Sequence, residues 1–138
     1  MMHGPFRSGS RRPRRDPAVL DAAIHDVLAA ATRPIGAYEL VGALAVSLPP
    51  APSPVQIYRA LERLMAARRV RRIESAAGYL AATDRPDAVL HCHVCGRAEL
   101  VGAAEVHSRL EEVAAMHGFR LREAVVEVLG TCAACAMR

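Results

Sequence analysis

Two cysteine pairs carry the clearest chemical pattern in the chain. Cys92 and Cys95 are separated by two residues, and so are Cys132 and Cys135. Each pair can present two thiolates to one ion, and four thiolates match the closed, tetrahedral site of a structural zinc. An all-sulfur ligand set favours zinc or iron over magnesium or calcium. We therefore expect one metal site built from all four cysteines, with disulfide or redox use as the alternative.

The enzymatic alternative is a thiol–disulfide oxidoreductase that uses Cys92 and Cys95. Such chemistry needs a thiol of low pKa in a strand–helix context, and the sequence around these residues does not supply one. No nucleophile–base pairing is evident elsewhere in the sequence. We therefore predict that the protein is not an enzyme.

Length and composition limit the possible architectures. The 138 residues suffice for one full domain or two small ones, and 52% are apolar although Trp is absent. The core must therefore consist mainly of Ala, Val and Leu. No apolar run is long enough to cross a bilayer, and the first 15 residues lack the apolar centre of an export signal. We expect a cytoplasmic protein with reduced cysteines and no membrane partner.

Charge is distributed unevenly along the chain. Residues 1–72 carry 12 arginines and five acidic residues, whereas residues 73–138 carry six arginines and nine acidic residues. A basic front half and an acidic, cysteine-bearing rear half favour a polyanionic partner for the front half. The alternative is a solvated, arginine-rich surface.

The front half has the pattern of a winged helix-turn-helix. Asp16 and Pro17 resemble an N-cap and a first helical residue, and a capping box of Ser53 and Gln56 opens a later helix. The predicted elements are a helix from Pro17 to Arg33–Pro34, helices over 37–48 and 54–67, and strands over 68–75 and 78–82. In this architecture the third helix enters the major groove of DNA.

The third predicted helix supplies the candidate DNA contacts. Arginine can bind guanine in a bidentate manner, and glutamine can pair with adenine. The candidates on or beside this helix are Ser53, Gln56, Tyr58, Arg59 and Arg63. Arginines of the hairpin, from Arg68 to Arg72, could hold phosphates. The alternative is a three-helix module that uses its arginines for solubility or for a protein partner.

The rear half is predicted to be a small α/β dimerisation domain, which makes the whole chain α+β. We divide the chain into a flexible basic arm (1–15), a winged-helix DNA-binding domain (16–83), a hinge (84–88) and a zinc-containing dimerisation domain (89–138). The predicted elements are strands over 90–93 and 98–101, a helix over 104–117 with Val106, Leu110 and Val113 inward, and a strand over 124–131. So small a unit is expected to complete its core by pairing with a second copy, which would suit a palindromic DNA site.

Several ordered motifs resemble the ferric uptake regulator (Fur) family. The segment 54–61 (PVQIYRAL) is similar to its recognition-helix motif, and segments 91–96 (HCHVCG), 115–119 (AMHGF) and 130–135 (GTCAAC) are similar to its dimerisation domain. Segments 37–40 (AYEL), 58–61 (YRAL) and 72–75 (RIES) resemble the zinc uptake regulator branch. The resemblance covers about residues 17–136.

The resemblance implies a metal-responsive, homodimeric repressor of metal-uptake genes that binds AT-rich inverted repeats in double-stranded DNA. It implies that Tyr58 and Arg59 are the main base-reading pair. It also implies that the four cysteines hold one structural zinc per chain, and that a second, regulatory divalent metal binds elsewhere. One departure is that Gln56 and Ile57 stand where the family usually has Thr and Val.

A second departure concerns the regulatory metal. The family usually places its ligands at the hinge and on the wing, where this chain has Ala81, Ala82 and no histidine, with Arg71 and Ala124 at further usual ligand positions. The remaining candidates are Asp84, Asp87, His91, His93, Glu99, Glu105, His107 and His117, each of which can equally be a surface or packing residue. His107 is the best of them because it lies near a family glutamate ligand position. The alternative function is a diverged Fur-family DNA-binding protein with only a structural zinc and weakened or lost sensing.

Overall fold

Three helices and a hairpin form the first half of the fold. The computed structural model describes residues 14–82 and 88–138, so the predicted arm up to residue 13 and the predicted hinge at 84–87 lie outside the described residues. The helices are α1 (Pro17–Ala30), α2 (Ala37–Leu44) and α3 (Pro54–Ala66). The strands β1 (Val70–Ile73) and β2 (Gly78–Ala81) pair antiparallel across a 3-10 turn at Glu74–Ala76, and we call this hairpin the wing.

The predicted helix starts are confirmed in atomic detail. The Asp16 carboxylate accepts a hydrogen bond from the Ala18 amide at 2.9 Å. The Ser53 hydroxyl accepts from the Gln56 amide at 3.3 Å, while Gln56 Oε1 accepts from the Ser53 amide at 2.9 Å. These bonds satisfy amides that have no partner inside a helix, so each cap fixes where its helix begins.

The second helix ends earlier than predicted, at Leu44 rather than Leu48. Residues 45–47 form a turn, and Leu48 is half-buried against the helical core from outside the helix. Pro49 restricts the residue before it to extended conformations, which prevents the helix from continuing to Leu48. The apolar spacing predicted the wrong end for α2, because Leu48 packs on the helical core from the turn as it would from a longer helix.

The core of the first half lies between the three helices and one face of the wing. The buried apolar side chains are Leu20, Ile24, Leu28, Ala37, Leu40, Leu44, Ile57, Ala60, Leu61, Leu64, Val70 and Tyr79. Fully burying a Leu or Ile side chain contributes about 1.5–3 kcal/mol. This cluster therefore fixes which face of α3 remains in water.

The second half is built on a three-stranded sheet. Its strands are β3 (Ala88–Cys92), β4 (Ala98–Val101) and β5 (Glu127–Gly130), in the order β4-β3-β5. β3 pairs antiparallel with β4 and parallel with β5. The helix α4 (Ala104–Met116) joins the last two strands, and a short helix α5 (Ala133–Ala136) follows β5. Ala88, which we placed in the hinge, is the first residue of β3.

The prediction that α4 buries an apolar face within the chain is wrong. No residue of α4 is buried, and Val106 and Val113 are each 43% exposed. Leu110 is half-buried. A single chain provides no second layer over this helix, so the face that periodicity marks as inward has no cover. The predicted end of α4 is confirmed, since Gly118 follows with φ of 77°.

A second apolar cluster joins the wing to the sheet. It contains Ile73 and Leu80 from the wing together with Val89 and Ala98 from the sheet. The wing is thus packed on both faces, because Val70 and Tyr79 belong to the helical core.

Within the described part of the chain, no helix has the length and hydropathy to span a membrane.

Candidate metal centre and nucleic-acid interface

The sheet topology brings the two cysteine pairs together. Cys92 is the last residue of β3, and a tight turn with Gly96 at φ of 77° carries the chain past Cys95. Because β5 is parallel to β3, with Gly130 beside Cys92, the chain leaves β5 at the same end of the sheet. Cys132 is the N-cap residue of α5 and Cys135 lies inside it. Two residues that are 40 positions apart therefore become neighbours.

The distances between the sulfurs fit a metal ion. All four Sγ atoms lie within 4.8 Å of one another, and Cys95 Sγ is 3.8 Å from Cys132 Sγ. A tetrahedral zinc with Zn–S bonds of about 2.3 Å places its sulfurs about 3.8 Å apart. A disulfide would need about 2.05 Å, and all four cysteines are free. The cluster is thus shaped for an ion and not for disulfides.

The electrostatics of the cluster also call for a cation. Backbone amides of Cys132 and Cys95 donate to Cys92 and lower its pKa to about 5; the Cys132 amide is 3.3 Å from Cys92 Sγ. The neighbouring sulfurs of Cys132, Cys95 and Cys92 raise the pKa of Cys135 to about 12. One thiolate forms readily, but four cannot coexist so closely without a positive ion between them.

The exposed face of α3 carries the candidate DNA-reading residues. Tyr58 is 43% exposed and Arg59 is exposed, whereas Ile57, Ala60 and Leu61 are fully buried on the opposite face. Among the described residues, Arg59 has no ion-pair partner. The helix therefore presents a phenol and an uncommitted guanidinium to solvent side by side.

Three other predicted DNA contacts are engaged within the protein. Ser53 and Gln56 use their oxygens in the capping box, which leaves the side-chain amide group of Gln56 available. Arg63 donates two hydrogen bonds to Asp21 of α1, Nη2 to Oδ1 at 2.6 Å and Nε to Oδ2 at 3.0 Å. This pairing raises the pKa of Arg63 and joins α3 to α1. A DNA contact by Arg63 stays a prediction.

The arginines of the wing differ in their surroundings. Arg72 pairs with Glu74 at 3.0 Å, and its guanidinium lies 5.6 Å from the Tyr79 ring centroid. Arg68 and Arg69 are exposed where α3 passes into β1. Phosphate contacts by Arg68 and Arg69 are compatible with this exposure, whereas Arg72 is engaged in holding the wing together.

The candidates for a regulatory metal are not brought together. His107 Nε2 lies 3.5 Å from Glu111 Oε1 on its own helix. His91 contacts Ser75, and His93 contacts Thr131, each at 3.0 Å. Within residues 14–82 and 88–138, the cysteine cluster is the one group of three or more His, Cys, Asp or Glu side chains that could share an ion. Asp84 and Asp87 lie outside the described residues.

One contact between the wing and the sheet was not predicted from the sequence. The Glu127 carboxylate, at the start of β5, accepts hydrogen bonds from the Glu74 and Ser75 amides in the wing at 2.7 and 2.8 Å. The Ser75 hydroxyl is 3.0 Å from Nδ1 of His91. No local signal could have revealed these bonds, because a glutamate in a short strand is typical of a solvent-facing position.

Three helices, a wing and a sheet with a tetracysteine cluster together define a winged-helix protein with a candidate metal centre. No family model matches the chain. It is 36% identical over 106 residues to the zinc uptake regulation proteins of Escherichia coli (strain K12) and Shigella flexneri, a match of 73% of this chain and 61% of each relative. The chain belongs to the zinc uptake regulator branch of the ferric uptake regulator (Fur) family.

Solved structures agree with this assignment. Holo XcZur is 31% identical, with a TM-score of 0.77 over 86% of this chain and 85% of that one. A zinc uptake regulator complexed with zinc and DNA is 28% identical, with a TM-score of 0.78 over 86% of this chain and 81% of that one. These similarities confirm the α+β fold with a winged helix followed by a C-terminal domain. The matched region spans less than two thirds of the curated relatives' length.

Proposed function

We propose that the chain is a metal-responsive, DNA-binding transcriptional repressor of metal-uptake genes rather than an enzyme. The observation that carries the proposal is the exposed Tyr58–Arg59 face on a helix whose opposite face is buried. Such a helix can enter the major groove while the wing lies along the backbone. A structural relative bound to zinc and DNA supports this reading. The proposal includes a cytoplasmic location.

Zinc is the ion that we assign to Cys92, Cys95, Cys132 and Cys135. The sulfur spacing fits its tetrahedral radius, and four cysteines leave no open position for a reacting water. The role is therefore structural, because the ion would join α5, with Cys132 and Cys135, to the end of β3. Metal binding of this kind contributes directly to the folding free energy of a small module.

The acting species in this proposal is a homodimer. Large apolar side chains of α4, β5 and the adjoining segment remain exposed in one chain: Val106, Val113, Met116, Phe119, Val128 and Leu129 are between 43% and 81% exposed. Exposed apolar surface of this kind is typical of an interaction site. A two-fold pairing through this surface would present two α3 helices to an inverted repeat, which we expect to be AT-rich.

The test is a binding titration of the zinc-loaded full chain. Fluorescence anisotropy with an AT-rich inverted repeat is compared with a scrambled duplex of the same composition. We expect tighter binding to the repeat by at least about 10³-fold, at two chains per duplex. Equal affinity for both duplexes would refute sequence-specific regulation by this protein.

A specific observation favours a second version of the function. No second cluster of metal-ligating side chains exists among the described residues. A diverged regulator with a structural zinc alone would bind its operator regardless of further metal. Titrating divalent metals into protein that already holds one zinc per chain separates the two versions, because only the metal-responsive one gains DNA affinity.

A further inference from the structure

We propose that Glu127 is a positioning residue that holds the wing, and through it the recognition helix α3, against the sheet. The inference rests on the proposed DNA-binding function for its consequence, but its geometry is independent of it. Three sets of contacts carry it.

The first contact is the carboxylate itself. Both Glu127 oxygens are used, one on the Glu74 amide at 2.7 Å and one on the Ser75 amide at 2.8 Å. These two amides open the 3-10 turn of the wing and have no partner inside that turn. Glu127 is itself held in place, since it pairs with Val89 in the parallel β3–β5 ladder. The sheet thus holds the Glu127 carboxylate in place, and the carboxylate in turn holds the 3-10 turn of the wing.

Charge makes this contact strong. Partial burial opposes the ionised carboxylate, yet hydrogen bonds from Ser75 and Glu74 and the nearby positive charge of Arg71 outweigh it and lower the pKa of Glu127. The carboxylate is therefore ionised at neutral pH. Hydrogen bonds to an ionised acceptor are about twice as strong as neutral ones.

The second set of contacts is apolar. Ile73 and Val89 are fully buried where the wing meets the sheet, and Leu80 and Ala98 are nearly so. The Ser75–His91 hydrogen bond lies beside the carboxylate contact. A wing that is packed on the helices by one face and on the sheet by the other cannot rotate without opening one of the two cores.

The third set closes a ring around the two halves. The Ala98 amide in β4 donates to the Thr32 carbonyl at 3.1 Å, in the loop between α1 and α2. Three residues further on, Ile35 exchanges two backbone hydrogen bonds of 2.9 Å with Tyr79 of β2. The orientation of α3 relative to the sheet is thus fixed by backbone groups and one carboxylate.

The experiment uses the zinc-loaded full chain and the variant Glu127→Gln, which keeps the side-chain size but loses the charge. The matched control is Glu123→Gln, since Glu123 is exposed and has no partner among the described residues. Hydrogen exchange of the Glu74 and Ser75 amides, DNA affinity, its salt dependence and zinc content are measured on all three proteins.

We expect the two wing amides to exchange at least about tenfold faster in Glu127→Gln, because one acceptor oxygen is replaced by an NH2 group that cannot accept, and the remaining oxygen is uncharged. DNA affinity should fall about fivefold or more, within the usual range for coupling between sites. The slope of log affinity against log salt should stay unchanged, because Glu127 neutralises no phosphate. Zinc content and the control variant should match the wild type.

Several results would overturn the inference. The first is a wild-type protein whose Glu74 and Ser75 amides exchange as fast as unprotected amides. This measurement needs no variant, so it tests the inference even if Glu127→Gln fails to fold. The second is a zinc-loaded Glu127→Gln protein with unchanged DNA affinity. If the wild type does not bind DNA but its wing amides are protected, the proposed function fails while the contact stands.

Discussion

Arg63 and Asp21 form a bidentate ion pair that joins α3 to α1, with N–O distances of 2.6 and 3.0 Å. The two side chains are 43% and 19% exposed, so water screens part of their attraction. The pair nevertheless helps to set the angle of α3. Among the described residues, it is the one ion pair that joins α3 to another helix. A predicted DNA contact is thereby a structural contact in the free protein.

The Arg63–Asp21 pair gives a prediction on stability. Arg63→Ala and Asp21→Ala should each lower the free energy of unfolding by about 1 kcal/mol or less, because the pair is partly exposed. The double variant should lose no more than the larger single loss, since either change removes the same interaction. Urea unfolding of the three variants measures this. Fully additive losses would show that the pair contributes nothing.

The Arg59 side chain gives a prediction on DNA binding. Arg59→Ala should weaken operator binding by more than about tenfold, as expected for loss of a groove contact, with unfolding unchanged. Arg109→Ala is the matched control, because Arg109 lies on α4 and pairs with Glu112 on the same helix. Anisotropy titrations at fixed salt compare the two. Retained tight binding by Arg59→Ala would contradict the docking of α3 in the groove.

Proton competition gives a prediction for the cysteine cluster. The metal-free cluster holds protons, since the pKa of Cys135 is raised to about 12, whereas the zinc-loaded cluster holds none on its thiolates. Binding zinc must therefore release protons, and zinc affinity must fall as pH falls. A competition titration with a chromophoric chelator, corrected for the chelator's own protonation, should give a weaker zinc affinity at pH 5 than at pH 7.5. An affinity independent of pH over this range would argue against thiolate ligands.

Two glycines provide a matched pair for the fold. A methyl group on Gly78 in β2 would lie 2.9 Å from Pro34 Cβ and 3.1 Å from the Pro34 carbonyl carbon, so Gly78→Ala should cost about 1–3 kcal/mol. A methyl group on Gly42 in α2 meets nothing within 4 Å, so Gly42→Ala should stabilise by about 0.5–1 kcal/mol. Thermal unfolding measures both changes. Similar shifts for the two variants would show that the wing does not contact Pro34 so closely.

The exposed face of α4 gives a prediction on assembly. Val113→Asp should dissociate the proposed dimer, because it places a charge in an apolar interface. Val46→Asp is the control, since Val46 is 91% exposed in the turn after α2. Sedimentation velocity should report a monomer for the first variant and a dimer for the second. A dimeric Val113→Asp protein would locate the interface elsewhere.

Local signals predicted the local structure well. The Asp16 cap, the Ser53–Gln56 capping box and the glycine after α4 all involve residues within a few positions of each other, and each is confirmed. The cysteine spacing also predicted the cluster, because a four-ligand site determines which residues must meet. Tyr58 and Arg59 were expected on an exposed face, and they lie there.

Contacts between distant residues could not be predicted in this way. Asp21 and Arg63 are 42 positions apart, and Glu127 lies more than 50 positions from the amides that it binds. Nothing near Glu127 distinguishes a wing-binding carboxylate from a solvated one. The exposure of α4 was missed for another reason: periodicity shows which face needs cover, but not whether the cover comes from the same chain.

Because β5 runs parallel to β3, residues 131–138 lie where the four cysteines meet and depend on the ion for their attachment to the sheet. Beyond Gly130 no side chain is buried, and a four-residue helix cannot persist by itself. We therefore expect a protease to cleave within residues 131–138 faster in the metal-free protein than in the zinc-loaded protein.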